Sequence, residues 1–127
     1  IASSDALVLA APWTGETDRL LDAPAIASMK TGAVVINVAR GQLVDEAALA
    51  SALERGDLAG AALDVFIEEP LPAGSPFWSL PNVILTPHTS GFRSDHWDAV
   101  IDLFAEQIRR FRDGRPLLNP VDCEAGY

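Results

Sequence analysis

AVVINVARGQLVDEAALASALERGDLAGAALDVF, residues 33–66, is the stretch that decides the fold. It opens on one apolar run, Ala33 to Ala39, and closes on another, Ala61 to Phe66. Neither run alternates polar with apolar residues, which fits strands buried on both faces of a parallel sheet. Between them Asp45 is placed to cap a helix, and Glu46 suits its positive end. Leu49 and Leu53 lie one turn apart on one face, and Gly56 supplies a stop. Strand, helix and strand at this spacing make a βαβ unit, whose crossover is expected to be right-handed.

Working outward, Ala6 to Ala11 and Val83 to Thr86 read as two more strands of the same kind. Asp22 is placed to cap a short helix over Ala23 to Met29, with Pro24 tolerated in its first turn and Gly32 at the exit. From Phe66 to Pro81 the pattern breaks. Pro70, Pro72, Pro76 and Pro81 with Gly74 forbid a regular helix, so this is expected to be an ordered loop over one end of the sheet. The longest helix is expected over Ser94 to Asp113. Its stripe of Trp97, Val100, Ile101, Phe104, Ile108 and Phe111 reads as a packing surface, against the sheet or another domain. Gly114 ends that helix, and Pro116 to Tyr127 reads as a tail. The fold class is α/β.

The 127 residues suffice for one core, and 49% of them are hydrophobic. The formal net charge of -9 argues against nucleic acid, whose recognition calls for a basic patch. Arg109, Arg110, Arg112 and Arg115 read instead as a solvated helix end near the favourable dipole terminus. Cys123 is the lone cysteine, so no intrachain disulfide can form, which is compatible with a reducing compartment. No apolar stretch reaches the roughly 20 residues that cross a bilayer, and no membrane partner is expected. No metal site is expected. The chain opens at Ile1 and runs almost at once into a strand, which reads as a piece of a longer protein.

Arg40, Glu69 and His88 fall at or just past the ends of separate expected strands, where open α/β sheets bind ligands. A guanidinium holds a carboxylate by two parallel hydrogen bonds, which Lys does poorly. An imidazole moves protons near neutral pH, and a carboxylate beside it fixes the ring. The three together suit a small carboxylic acid and a proton transfer. Two of them have a plainer reading: Arg40 as a surface ion pair, His88 as a structural loop residue. Asp64, at a strand end, has a plainer reading as a turn or capping residue. His96 reads as structural or surface.

Several segments in order resemble the D-isomer-specific 2-hydroxyacid dehydrogenases. They are Ser4-Asp5-Ala6-Leu7-Val8-Leu9 with Pro12 and Glu16-Thr17, and Met29 to Gly41 (MKTGAVVINVARG). Then come Val44-Asp45-Glu46-Ala47-Ala48-Leu49, Gly60 to Phe66 with Glu69-Pro70-Leu71-Pro72, and Pro81 to His88 followed by Gly91. The resemblance runs from residue 3 to about 121. It implies a Rossmann-like doubly wound parallel sheet, present here in part. Residues 1–91 would be the second half of a dinucleotide-binding domain, and residues 92–127 a long helix and tail returning towards a substrate domain. The Gly-rich phosphate loop belongs upstream in that family, and Gly56 and Gly60 do not form G-x-G-x-x-G.

The resemblance also implies hydride transfer between NAD or NADP and a small 2-hydroxy or 2-keto acid. Arg40 would bind the substrate's carboxylate and keto group. His88 would donate and remove the proton, and Glu69, rather than its neighbour Glu68, would pair with His88. Pro12, Thr17, Val38, Ala39, Arg40, Asp64, His88 and Gly91 would line the cofactor. The full-length protein is expected to be a cytoplasmic homodimer. The same fold also serves nucleotide-sensing corepressors and scaffolds, and fold does not fix function; the set of Arg40, Glu69 and His88 favours the enzyme.

Overall fold

Two aspartates start the first helices. Asp22 accepts from the Ala25 amide at 2.8 Å and opens α1 (Ala23–Ala27), with Pro24 in its first turn. Asp45 accepts from the Ala48 amide at 3.0 Å and opens α2 (Glu46–Arg55), which Gly56 ends in the left-handed conformation at φ 75°. In the computed structural model, residues 1–124 are described. Residues 1–90 form one compact unit, and the chain from Gly91 onward forms another.

The first unit is built on four parallel strands, β1 (Ala6–Leu9), β2 (Val34–Asn37), β3 (Gly60–Leu63) and β4 (Val83–Leu85), in the order β1-β2-β3-β4. Leu9 pairs with Asn37, Asn37 with Leu63 and Leu63 with Leu85, so the carboxyl ends lie flush. Each strand is shorter than its apolar run. Asn37, Asp64 and Thr86 stand at or just past the strand ends and use their side chains to bind the backbone or one another. Local side-chain hydrogen bonds of this kind compete with the sheet ladder and turn the chain out of it.

Within this unit the strands are packed on one face. Leu9, Val35 and Leu63 are buried with Ile26, Leu49 and Leu53. In the alternate row Val8, Ile36, Ala62 and Ile84 lie side by side, and Val8 is 57% and Ile84 68% exposed. The cause is topological. Right-handed crossovers between strands that advance in one direction put their helices on one face.

The proline-rich segment after β3 is ordered, as expected, but it contains a short 3-10 helix at Pro76–Ser79. Pro76 stands at its start, where a missing amide costs nothing. Phe77 in this turn is 2% exposed and packs against Phe66, the ring centroids 6.3 Å apart. The Trp78 indole donates to the Pro72 carbonyl at 2.9 Å. The Glu69–Pro70 peptide is cis. A second 3-10 turn, Gly41–Leu43, links β2 to α2 and has no signal in the apolar pattern.

In the second unit α3 spans His96–Arg112, a little shorter at each end than the pattern suggested. None of its residues is buried; Trp97, Phe104 and Phe111 are 73%, 66% and 79% exposed. Within its own unit the stripe has no packing partner, so any cover for it comes from outside that unit. Gln107 holds the chain that follows, donating to the Leu118 carbonyl and accepting from the Leu118 amide at 2.8 Å. Glu106, itself partly buried, gathers Arg109, Arg110 and Arg115 at 3.6, 2.9 and 3.4 Å. Residues 125–127 of the expected tail lie outside the described residues.

Candidate functional site

Asp64 follows β3 directly and organises the turn after β4. Its carbonyl accepts from the His88 amide at 2.8 Å. Its carboxylate accepts from the Thr89 amide at 2.9 Å on one oxygen and from the Ser90 amide at 2.9 Å on the other. The Thr86 hydroxyl donates to the same group. Three consecutive amides are thus held by one residue that is 3% exposed. Burial by itself would raise the Asp64 pKa. The hydrogen bonds from Ser90, Thr86 and Thr89 outweigh it and hold the carboxyl well below the usual carboxylate range.

That grip has a conformational result. His88 adopts φ 54°, in the left-handed region that non-glycine residues seldom occupy. Left-handed backbone costs an L-residue roughly 1–2 kcal/mol, and here the bonds to Asp64 on both sides of the His88 Cα offset it. The turn delivers the imidazole to Glu69. His88 Nδ1 lies 2.8 Å from Glu69 Oε2, while Glu69 Oε1 accepts from the Phe66 amide at 2.9 Å. Burial raises the Glu69 pKa, but the His88 hydrogen bond, the Phe66 amide and the charges of His88 and Arg40 together hold it below its ordinary value.

Arg40 follows β2 in a turn shaped by the buried Asn37. The Asn37 amide nitrogen donates to the Arg40 carbonyl at 2.9 Å, and its oxygen accepts from the Ala39 amide at 3.1 Å. The Arg40 side chain is turned back, Nη1 donating to the Ala39 carbonyl at 2.6 Å. It belongs to the same electrostatic group as Glu69, since its charge lowers that carboxyl. Glu69 and His88 line a cavity of about 580 Å³ whose walls include Phe66, Leu71, Trp78 and Leu85; Arg40 is not among its lining residues.

The remaining candidates of the first unit follow β1 and β2. Pro12 and Val38 are exposed past β1 and β2, and Ala39 is buried between Val38 and Arg40. Thr17 turns its hydroxyl to the Pro12 carbonyl at 2.7 Å and so fixes the loop after β1. Gly91 begins the second unit. Among the described residues no group of His, Cys, Asp and Glu is placed to hold a metal, and no helix is long and apolar enough to cross a membrane. His96 lies in the first turn of α3, its ring 5.3 Å from that of Trp97.

Two contributors were not singled out from the sequence. Asn37 builds the Arg40 turn, and the available signal was an Asn at a strand end with a turn to follow. Gly41 packs so closely that a Cβ there would fall 1.9 Å from the Phe66 carbonyl carbon. Nothing in a single sequence announces that approach, because the two partners are 25 residues apart.

The family model for the D-isomer specific 2-hydroxyacid dehydrogenase NAD binding domain matches residues 1–90. Glyoxylate/hydroxypyruvate reductase B of Pectobacterium carotovorum subsp. carotovorum (strain PC1) is 49% identical over 88 residues, covering 69% of this chain and 28% of the relative. D-3-phosphoglycerate dehydrogenase of Archaeoglobus fulgidus is 39% identical over 122 residues, covering 96% of this chain and 23% of the relative. The D-isomer specific 2-hydroxyacid dehydrogenase of Xanthobacter autotrophicus Py2, solved in complex with NADPH and MES, superposes with a TM-score of 0.92 at 46% identity. That likeness covers 99% of this chain and 51% of that one. The NADPH-dependent glyoxylate/hydroxypyruvate reductase of Sinorhizobium meliloti, solved with NADP and sulfate, gives a TM-score of 0.92 at 38% identity, covering 99% and 41%. The chain spans less than half the length of the curated relatives named here. A family model that fits residues 1–90, on a parallel sheet with this order of strands, leaves one assignment: the chain belongs to the D-isomer-specific 2-hydroxyacid dehydrogenases, through their NAD-binding domain.

Proposed function

We propose that this chain carries the acid/base and carboxylate-holding part of an NAD(P)-dependent oxidoreductase acting on a small 2-hydroxy or 2-keto acid. The observation that carries the reading is the 2.8 Å contact of Glu69 with His88 Nδ1, on a carboxylate that also feels the Arg40 charge. With Nδ1 engaged, Nε2 is the ring atom left for proton transfer. In reduction the protonated imidazole gives that proton to the keto oxygen. In oxidation the neutral ring takes it from the hydroxyl. Glu69 keeps the ring oriented through both directions.

Arg40 is the group for the substrate's carboxylate. Its fork suits two parallel hydrogen bonds, and its contact with the Ala39 carbonyl would be exchanged for the substrate. The fit to a nicotinamide rests on the end of the sheet. Pro12 and Val38 present exposed apolar surface past neighbouring strands, with the Ala39 backbone beside them. These residues would wall the ring, Thr17 would hold the loop that carries Pro12, and Asp64 would act from behind by shaping the backbone from His88 to Ser90, next to Gly91. The bound nicotinamide supplies the hydride, and the protein supplies orientation and the proton.

The reading extends to a cytoplasmic homodimer of the full-length protein. A lone cysteine is compatible with a reducing compartment. The test of the activity is NAD(P)H oxidation by the full-length protein with glyoxylate, hydroxypyruvate and pyruvate. Turnover of at least one keto acid is expected; tight NAD(P)H binding with no turnover of any of them would favour a nucleotide-sensing protein of the same fold instead.

A further inference from the structure

The two consecutive peptides that meet at Phe66, Val65–Phe66 and Phe66–Ile67, sit between the two halves of the site and are held from three directions. The Phe66 amide donates to Glu69 Oε1 at 2.9 Å. The next amide, of Ile67, donates to Glu46 Oε1 at 2.8 Å. The Phe66–Ile67 peptide rests on Gly41, where an added Cβ would fall 1.9 Å from the Phe66 carbonyl carbon and 2.2 Å from the Ile67 nitrogen. Gly41 directly follows Arg40, and Glu46 is in the first turn of α2. Two adjoining peptides, joined at Phe66, thus couple the Arg40 segment, α2 and the Glu69–His88 pair.

Glu46 is not spent on its own helix. Asp45 already caps α2 through the Ala48 amide. An acidic side chain that only answered the helix dipole would stand in water. Glu46 is half-buried instead, and burial pushes its carboxyl up while the Ile67 amide pulls it down. A desolvated carboxylate has a cost that a helix end does not require, so its contact with a loop 21 residues away points to a task there.

We propose that Glu46 is a positioning residue for proton transfer: by holding the Ile67 amide it fixes the adjoining Phe66 amide, and with it the Glu69 carboxylate that orients His88. The role rests on the reading of His88 and Glu69 as the proton-transfer pair. Gly41 supports it by letting the Arg40 turn lie against the same peptide, so that the carboxylate-binding and proton-transferring groups keep one spacing.

The experiment is nitrogen-15 NMR of the His88 ring in the full-length protein without substrate or cofactor. In the wild type the neutral ring is expected mainly in the Nδ1–H form, since Glu69 accepts there. Glu46→Ala is expected to shift the neutral ring several-fold towards the Nε2–H form and to lower kcat with little change in KM. Alanine is the strongest helix former, so α2 survives the change. Glu46→Gln keeps an acceptor oxygen and is expected to restore the wild-type tautomer ratio. Asp45→Ala weakens α2 without touching Ile67 and is expected to leave the ratio unchanged. An unaltered ratio in Glu46→Ala, or the same shift in Asp45→Ala, overturns the positioning role. His88→Ala assayed alongside separates the two readings, because unchanged turnover in that variant overturns the proton-transfer assignment itself.

Discussion

His88 shows how a residue's backbone and ring are set by groups far from it in sequence. Its left-handed backbone is fixed by Asp64, and its ring is fixed by Glu69. Asp64 is a stability group as well. Its folded pKa is depressed, so its contribution is fully present above the ordinary value of 3.8 and is lost as pH falls through and below it. Urea midpoints measured from pH 6 downward should fall more steeply below about pH 4 in the wild type than in Asp64→Asn. Asp64→Asn should also cost about 1–3 kcal/mol near neutral pH, because an amide nitrogen then faces the Ser90 amide. For Arg40 the expectation is chemical. Arg40→Lys should not rescue function, since Lys lacks the planar fork. KM for a 2-keto acid should rise and turnover fall while cofactor affinity, measured by fluorescence titration, holds; a matching loss of cofactor binding would assign Arg40 to folding or to the dinucleotide.

At the scale of elements, the parts written in local chemistry were legible. Asp22 starts α1, and Asp45 and Gly56 bound α2, where the sequence put them, since caps and left-handed glycines act within a few residues; α1 stops at Ala27, short of the expected Met29. Strand ends were less legible, because Asn37 and Asp64 look apolar-compatible in a run but divert the backbone through their side chains. The proline-rich loop was recognised as ordered, yet its anchor was not. Phe77 reaches the core only because the loop folds back onto Phe66, a contact between residues 66 and 77 that periodicity does not encode. Phe77→Ala should therefore cost about 3–5 kcal/mol and loosen the segment that carries Glu69. Hydrogen exchange should report that loss at the Trp78 and Leu80 amides, whose bonds lie in this turn; unchanged protection there would show that the prolines alone order it.

At the scale of the whole molecule, Arg40, Glu69 and His88 were legible as a set because each terminates or follows a separate parallel strand, and flush strand ends gather such residues. What periodicity did not convey was the one-sided packing within the first unit. Apolar runs look alike whether one face or both are covered, and the row of Val8, Ile36, Ala62 and Ile84 became visible only from the register. The most direct measurement on the proposed site is the turnover of a 2-keto acid by the full-length protein across pH, compared with His88→Ala and Glu69→Gln. His88→Ala should lower kcat by about 10²–10⁴-fold, the usual scale of general acid–base catalysis. Glu69→Gln should keep a hydrogen bond but move the pH profile, since it removes the charge beside the ring. Near-wild-type turnover in His88→Ala, with the profile unmoved in Glu69→Gln, would contradict the assignment of proton transfer to this pair.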